Sequence, residues 1–247
     1  MLLRNIALAF RRQDWATVVV EFLIVVAGIF VGLQADSWSA ERSDRERERI
    51  ILEQLHSDFT ANAASVSQYA DRHVKTAEEL KFALDILTRG ELANADAARF
   101  RNAFISMYQM PGINATMGAY ETLIASGDLT LLTDQHLKAR LAQLSANVDD
   151  EANLLQYFRE MVLRNQQLTR DHVLLVPNED RTDSNLRVDF DGIKNDYRIL
   201  LVVADQRRTH QIFGRARRGL ADEFADTAAY IGALITVSPQ SGTAAAK

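Results

Sequence analysis

Residues 15–35 read WATVVVEFLIVVAGIFVGLQA, and this stretch decides the class of fold. Glu21 is the only charged residue in it. At 1.5 Å per residue, a helix of this length covers roughly 31 Å, which matches a hydrocarbon core of about 30 Å. Trp15 and Trp38, the two tryptophans of the chain, bracket it where aromatic belts occur. The pattern predicts a transmembrane helix over residues 15–36.

The orientation of this helix is only weakly encoded, because arginines occur on both flanks. They are Arg4, Arg11 and Arg12 before the helix, and Arg42, Arg45, Arg47 and Arg49 after it. The second group alternates with acidic residues, which favours a salt-bridged helix over a cytoplasmic retention signal. We therefore expect residues 1–14 to be a short cytoplasmic tail and the bulk of the chain to be exported. A signal peptide cleaved after Leu33-Gln34-Ala35 is the alternative.

One stripe of the membrane helix carries small residues and the single charge. Glu21, Val25, Gly28, Gly32 and Ala35 follow one another at intervals of four and three, so they share a helical face. Two glycines four residues apart let helix backbones approach closely, and an ionisable group within a membrane usually faces protein or water. We expect self-association, or pairing with another membrane protein, through this face. The alternative is that the glycines are ordinary and Glu21 reaches the headgroups.

Composition narrows the remaining possibilities. Proline occurs 3 times and glycine 11 times in 247 residues, while helix-forming residues dominate. The net charge of −5 provides no basic field for nucleic acid, so we expect no nucleic-acid partner. Cysteine is absent, which excludes disulfides, thiol catalysis and cysteine-ligated metals.

After the membrane segment, apolar residues recur at helical spacing in five segments. The expected helices are 37–89, ended by Gly90; about 94–109; 116–126, ended by Gly127; 135–168, capped by Thr133-Asp134; and 195–236. This pattern predicts an all-α fold in which the transmembrane helix continues into an up-and-down helical bundle.

The expected domains after residue 36 are the helical-bundle domain, residues 37–237, and a disordered tail, residues 238–247. Residues 186–190 alternate like a strand, but no partner strand is evident. We therefore expect an extended loop at that point.

Three blocks of the sequence are similar to a known family. They are EFLIVVAGIFVGLQADSWSAER (21–42) followed by LEQLHSDF (52–59), AYETLIASGDLTLL (119–132), and DFDGIKNDYRILL (189–201). In this order they resemble a family of uncharacterised bacterial single-span membrane proteins, a domain of unknown function with an N-terminal membrane helix and a helical soluble domain. The resemblance implies topology and fold but no reaction, and it makes Glu21 part of the matched pattern. We therefore expect a single-pass protein of the bacterial inner membrane with a periplasmic domain.

Motifs that carry chemistry are scarce. Glu53 and His56 have the Glu-x-x-His spacing of di-iron bundles, but such sites need a second copy, which the sequence lacks. Five arginines lie on the last helix, Arg207, Arg208, Arg215, Arg217 and Arg218. They offer an anion-binding face, but nearby acidic residues favour a solvated face. We predict no catalytic residues, no metal site and no cofactor.

The best candidate for an interaction site outside the membrane is the turn after the short helix. It comprises Tyr120, Glu121, Ser126, Gly127 and Asp128. Gly127 fits a left-handed turn that closes a helix, and Asp128 can accept hydrogen bonds from nearby backbone amides. A structural turn is the simpler interpretation, and a ligand or partner site is the alternative.

Taken together, these patterns predict a membrane-anchored helical bundle that acts by protein interaction or sensing in the cell envelope. A scaffold component of a membrane assembly, with no ligand, is one alternative. An enzyme with a site formed between bundle helices is another. A cavity with polar lining would favour a sensor, while a dry core or an exposed apolar patch would favour a scaffold.

Overall fold

The computed structural model describes residues 15–177 and 184–237, so the predictions for both tails lie outside the described residues. The chain divides into two compact units, Met1–Ile50 and Ile51–Lys247. The first helix, α1, is assigned to Trp15–Arg89.

The described part of the first unit is entirely helical. By length and composition, its apolar stretch is long enough to cross a membrane. Its large apolar side chains, from Val19 to Trp38, are exposed.

The second unit contains the remainder of α1 and all later elements. These are α2 (Ala97–Ser106), α3 (Gly118–Ser126), a 3₁₀ turn (Asp128–Leu131), α4 (Gln135–Thr169), β1 (Val173–Pro177), β2 (Ser184–Val188), α5 (Phe190–Ile193) and α6 (Tyr197–Val237). The all-α fold class predicted from the sequence is confirmed.

Cross-helix contacts define an up-down-up-down bundle. Helix α6 runs antiparallel to both α1 and α4, because residue numbers rise on one partner as they fall on the other. The contacts are Asp71–Arg218 and His73–His210 for α1, and Asn147–Glu223 and Asn165–Asp205 for α4. Helices α2 and α3 together form the fourth member of the bundle and run antiparallel to α1. Arg99 bonds Glu79, and Thr116, further along the chain, bonds Asn62, which lies earlier on α1.

Helix ends follow the local chemistry of the sequence. Gly90 and Gly127 adopt left-handed conformations, with φ of 72° and 79°, directly after α1 and α3. This conformation favours glycine because a β-carbon would clash with the backbone. At the start of α4, the Asp134 carboxylate accepts a 2.7 Å hydrogen bond from the backbone amide of Leu137. These three predicted boundaries are confirmed.

The interior of the bundle contains a small apolar cluster, formed by Met110, Leu155, Phe158, Val162 and Phe213, and two large ones. One surrounds Leu55, Phe59, Leu137, Leu141 and Phe224. The other comprises, among others, Leu80, Ile86, Phe100, Phe104 and Ile199. On α1 and α6, the buried residues between these clusters include polar and charged side chains, and these form the site described below.

The prediction of an unpaired extended loop at residues 186–190 is wrong. Strand β2 pairs with β1 in antiparallel register, Leu186 opposite Leu175 and Val188 opposite Val173. The backbone amide of Asp189 extends the pairing by donating to the carbonyl of His172 (2.9 Å). The partner is the apolar run after His172, and a pairing between separated segments is not visible in the pattern of either one alone.

Candidate functional site

Polar residues occupy inward-facing positions on all three long helices. On α6, buried residues recur at intervals of four and three: Ile199, Val203, Gln206, His210, Phe213, Arg217, Leu220 and Phe224. The same spacing places Glu151 between Val148 and Leu155 on α4, and His73 between Ala70 and Ala77 on α1. The helical repeat therefore directs these polar side chains into the bundle.

These side chains form a continuous chain of hydrogen bonds across the bundle, which we call the polar relay. Arg217 Nε donates to Glu151 Oε1 (2.7 Å), and Arg217 Nη1 donates to His73 Nε2 (2.7 Å). His73 Nδ1 lies 2.8 Å from His210 Nδ1, and His210 Nε2 lies 3.1 Å from the carbonyl oxygen of Met107. Helices α1, α4 and α6 and the residue that directly follows α2 therefore contribute to one hydrogen-bond network.

The relay has only one consistent assignment of protons when both histidines are neutral. Arginine can only donate, so His73 Nε2 must accept and its proton must lie on Nδ1. His73 Nδ1 then donates to His210 Nδ1, which leaves the proton of His210 on Nε2 to meet the Met107 carbonyl. From Arg217 through both histidines to Met107, the hydrogen bonds thus all run in one direction.

Burial and charge keep both histidines neutral. Burial, the adjacent Arg217 charge and His210 together lower the pKa of His73 to about 3, and burial makes the largest contribution. Burial also lowers the pKa of His210, although its bond to the Met107 carbonyl opposes that shift. An added proton on His73 would face Arg217 on one side and His210 on the other.

Arg217 is the largest fully buried side chain among the described residues. Its guanidinium lies 5.1 Å from the centre of the Phe213 ring and 5.8 Å from that of Tyr69. Its Nη2 atom and the Oε2 atom of Glu151 have no hydrogen-bond partner in the described part of the chain. Removing such charges from water costs several kcal/mol per ion, which the short bonds of the relay must offset.

The helices approach closely beside the relay. A β-carbon at Gly214 on α6 would lie 3.3 Å from Cγ2 of Val74 and 3.6 Å from Cβ of His73 on α1. Glycine at this position allows α6 to approach α1 closely near His73.

Two clefts adjoin the relay. The larger has a volume of about 880 Å³ and is lined by Arg72, His73, Lys75, Glu79, Arg99 and Asn102, among others. The smaller, about 350 Å³, lies between α4 and α6 and is lined by residues that include Asn147, Asp150, Glu151 and Arg215. His73 therefore reaches one cleft and Glu151 the other, with Arg217 buried between them.

The turn proposed from the sequence as an interaction site lies apart from the relay. Tyr120 is buried in the first of the two large apolar clusters, whereas Glu121, Ser126 and Gly127 are exposed and Asp128 is half-buried. The backbone amide of Asp128 donates to Ser126 Oγ (3.3 Å), as expected of a structural turn. A ligand or partner site there stays a prediction.

The stripe of small residues and Glu21 predicted on the membrane helix is exposed in the described chain. Glu21, Val25, Gly28, Gly32 and Ala35 are all exposed. A β-carbon added at Gly28 or Gly32 would meet no atom within 4 Å. Both positions therefore have room for larger side chains within the described chain.

The prediction of a solvated arginine face on α6 is wrong for one member. Arg208, Arg215 and Arg218 are exposed and Arg207 is half-buried, but Arg217 is fully buried because it falls on the inward stripe. Glu53 is exposed and His56 is half-buried, close to Gly232. Among the described residues, no group of three or more His, Asp or Glu side chains is placed to hold a metal ion.

The fold and site together define a class: a helical bundle with a buried polar relay, preceded by a helix long enough to cross a membrane. Comparison with protein-family models, curated proteins and solved structures found no match.

Replacing Arg217 tests the relay. We expect Arg217→Met to reduce the free energy of unfolding by about 3–5 kcal/mol, because Glu151 would stay buried without a cation. The control is its neighbour Arg218, whose pair with Asp71 is exposed. Arg218→Met should cost less than about 1 kcal/mol in the same urea titration followed by circular dichroism. Equal losses in the two variants would contradict a buried, paired Arg217.

The relay also predicts a dependence of stability on pH. Because the pKa values of His73 and His210 are lowered in the folded state, the unfolded chain binds their protons first as the pH falls. Between pH 7 and pH 5, stability should fall by about 2 kcal/mol on account of His73, and His210 should lower it further in the same direction.

The free energy of unfolding of the variant His73→Gln should fall less steeply than that of the wild type over that range. His136 is exposed, so the variant His136→Gln should retain the full pH dependence. The measurement is urea unfolding of the full chain in detergent at several pH values. Parallel pH profiles for the wild type and His73→Gln would show that His73 titrates normally in the folded bundle.

Proposed function

We propose that the protein is a single-pass protein of the bacterial inner membrane whose periplasmic bundle acts by binding a ligand or a protein partner. The larger cleft is the observation that carries this proposal. A volume of about 880 Å³ lies within the range of small-molecule sites, and charged and amide side chains line it. A cleft with several polar groups in its lining is the feature expected of a sensor.

The relay supports sensing because it connects the two clefts. A ligand that moves His73 in the larger cleft acts on Arg217 through a 2.7 Å hydrogen bond. Arg217 in turn bonds Glu151, which lines the smaller cleft. Occupancy on one side of the bundle can thus alter the charge and shape of the other side.

A scaffold without ligand is the second candidate, and exposed apolar side chains favour it. On α4 and α6 these include Tyr157, Leu163, Tyr197 and Leu201. A partner protein covering them would remove apolar surface from water.

An enzyme is the third candidate, because several helices do bring polar groups together. A general base needs a free nitrogen within reach of its substrate, and both ring nitrogens of His73 are already bonded. Arg217 is closed to solvent. These features favour binding over catalysis.

We also propose that the membrane helix associates with a second copy of itself, or with another membrane protein, through the stripe of Glu21, Gly28 and Gly32. The exposed glycines offer a surface for close backbone approach. Pairing would also give Glu21 a protein environment.

The absence of cysteine makes the orientation directly measurable. Ala225 is exposed on α6, so Ala225→Cys introduces a single reactive thiol. We expect a membrane-impermeant maleimide to label it in cells whose outer membrane alone is permeable, and the cysteine-free chain to stay unlabelled. Labelling only after the inner membrane is lysed would place the bundle in the cytoplasm and refute the periplasmic proposal.

Self-association of the membrane helix has its own test. In a membrane two-hybrid assay, Gly28→Leu with Gly32→Leu should abolish the signal, because bulky side chains keep the backbones apart. The matched control is Ile29→Leu with Val31→Leu, which alters the same helix off the stripe and should preserve the signal. An unchanged signal in the glycine variant would remove this interface.

A further inference from the structure

We propose that the larger cleft binds a small molecule bearing an oxyanion group, a carboxylate or a phosphate, through Arg72 and Lys75. This inference deepens the proposed function and rests on it, because it assumes that the bundle is a ligand-binding domain. It names the chemistry of the ligand and the side chains that recognise it.

Two helices supply the facing walls of the cleft. Arg72, Lys75, Thr76 and Glu79 follow one another on α1 at intervals that keep them on one face. On α2 the lining residues are Arg99, Asn102 and Ser106, at intervals of three and four. Donors from two rigid elements thus converge on one space, as a specific site requires.

The charge balance of the lining favours an anion. Three cationic side chains face one acidic side chain, so the lining carries a net charge of +2 with His73 neutral. Arg99 is already engaged: it bonds both carboxylate oxygens of Glu79 (2.7 and 3.2 Å) and stacks on Phe82 at 4.0 Å. The remaining charge belongs to Arg72 and Lys75.

Arg72 and Lys75 are available to a ligand. Both are exposed, and neither forms an ion pair within the described part of the chain. The guanidinium of Arg72 lies 5.2 Å from the centre of the Tyr69 ring. An arginine can bind a carboxylate or a phosphate through two parallel hydrogen bonds, and a lysine adds a point charge.

The relay adds positive potential behind this surface. In the buried pair, Arg217 is bonded to His73, which lines the larger cleft, whereas its counterion Glu151 lines the smaller one. The positive end of the pair is therefore directed towards the larger cleft. Because both charges are removed from water, their field is screened less than that of surface groups.

The remainder of the lining suits the uncharged part of such a ligand. Met110 and Pro111 supply apolar surface, and Asn102 and Gln109 offer amide donors and acceptors. A small organic anion matches this combination better than a bare inorganic ion does.

The test measures anion binding to the full chain purified in detergent. Citrate and inorganic phosphate serve as carboxylate and phosphate probes, each titrated against sodium chloride of the same ionic strength. We expect at least one probe to raise the unfolding temperature and to bind with a measurable Kd by calorimetry. In Arg72→Gln with Lys75→Gln, this Kd should weaken by at least about tenfold.

The matched control is Lys81→Gln with Arg101→Gln, which removes two exposed cations from the same helices outside the cleft. Its Kd should equal that of the wild type. Because Arg72 and Lys75 are exposed, their replacement should leave the helical content unchanged, and circular dichroism verifies this. Equal weakening in both double variants, or no binding of either probe, would overturn the anion site.

The outcome is separable from that of the proposed function, because the titration does not depend on orientation in the membrane. Periplasmic labelling of Ala225→Cys without anion binding would overturn the anion site alone. Anion binding with cytoplasmic labelling would overturn the periplasmic function and leave the anion site intact.

Discussion

Burial of the Arg217 charge is the constraint on which the arrangement of the bundle depends. A guanidinium removed from water is stable only where acceptors meet it, and here they come from two other helices: Glu151 on α4 and His73 on α1. Satisfying Arg217 therefore fixes how three long helices face one another. It also fixes which nitrogen of each histidine carries a proton, since a donor at one end determines every later bond. Apolar packing supplies the driving force for folding, and this charge restricts which packing is acceptable.

The same constraint explains why the interior of the bundle is divided. One apolar cluster, around Leu55 and Phe224, lies on one side of the relay, and another, around Leu80 and Phe100, lies on the other. One cleft adjoins the relay at His73 and the other at Glu151. The buried polar side chains thus lower the stability of the bundle and at the same time adjoin the proposed ligand site. Functional sites in proteins often carry such a cost in stability.

The sequence predicts those features whose cause is local. Gly90, Gly127 and Asp134 mark helix ends because backbone conformation and capping act within a few residues. The β1–β2 pairing was missed because β1, Val173–Pro177, is a continuous apolar run that ends in proline and lacks the alternation seen in β2. Arg217 was missed for a different reason: its charge suggested solvent, although its three- and four-residue spacing matched the inward stripe. Glu151 was not singled out from the sequence at all, although its spacing from Val148 and Leu155 also fits that stripe. The periodic signal was present, but which cation meets which carboxylate depends on three helices at once.

The inward placement of Glu151 and Arg217 has a consequence for alignment along the bundle axis. If α6 slid by seven residues against α4 so that Phe224 took the position of Arg217, Leu220 would take the position of Phe213, because the inward stripe repeats with that period. Glu151 would then face Phe224, and a carboxylate would be stranded in hydrocarbon-like surroundings. The apolar stripe alone tolerates such slippage, whereas the charged layer does not. The relay thus favours one register of α6 against α4 over registers shifted by seven residues.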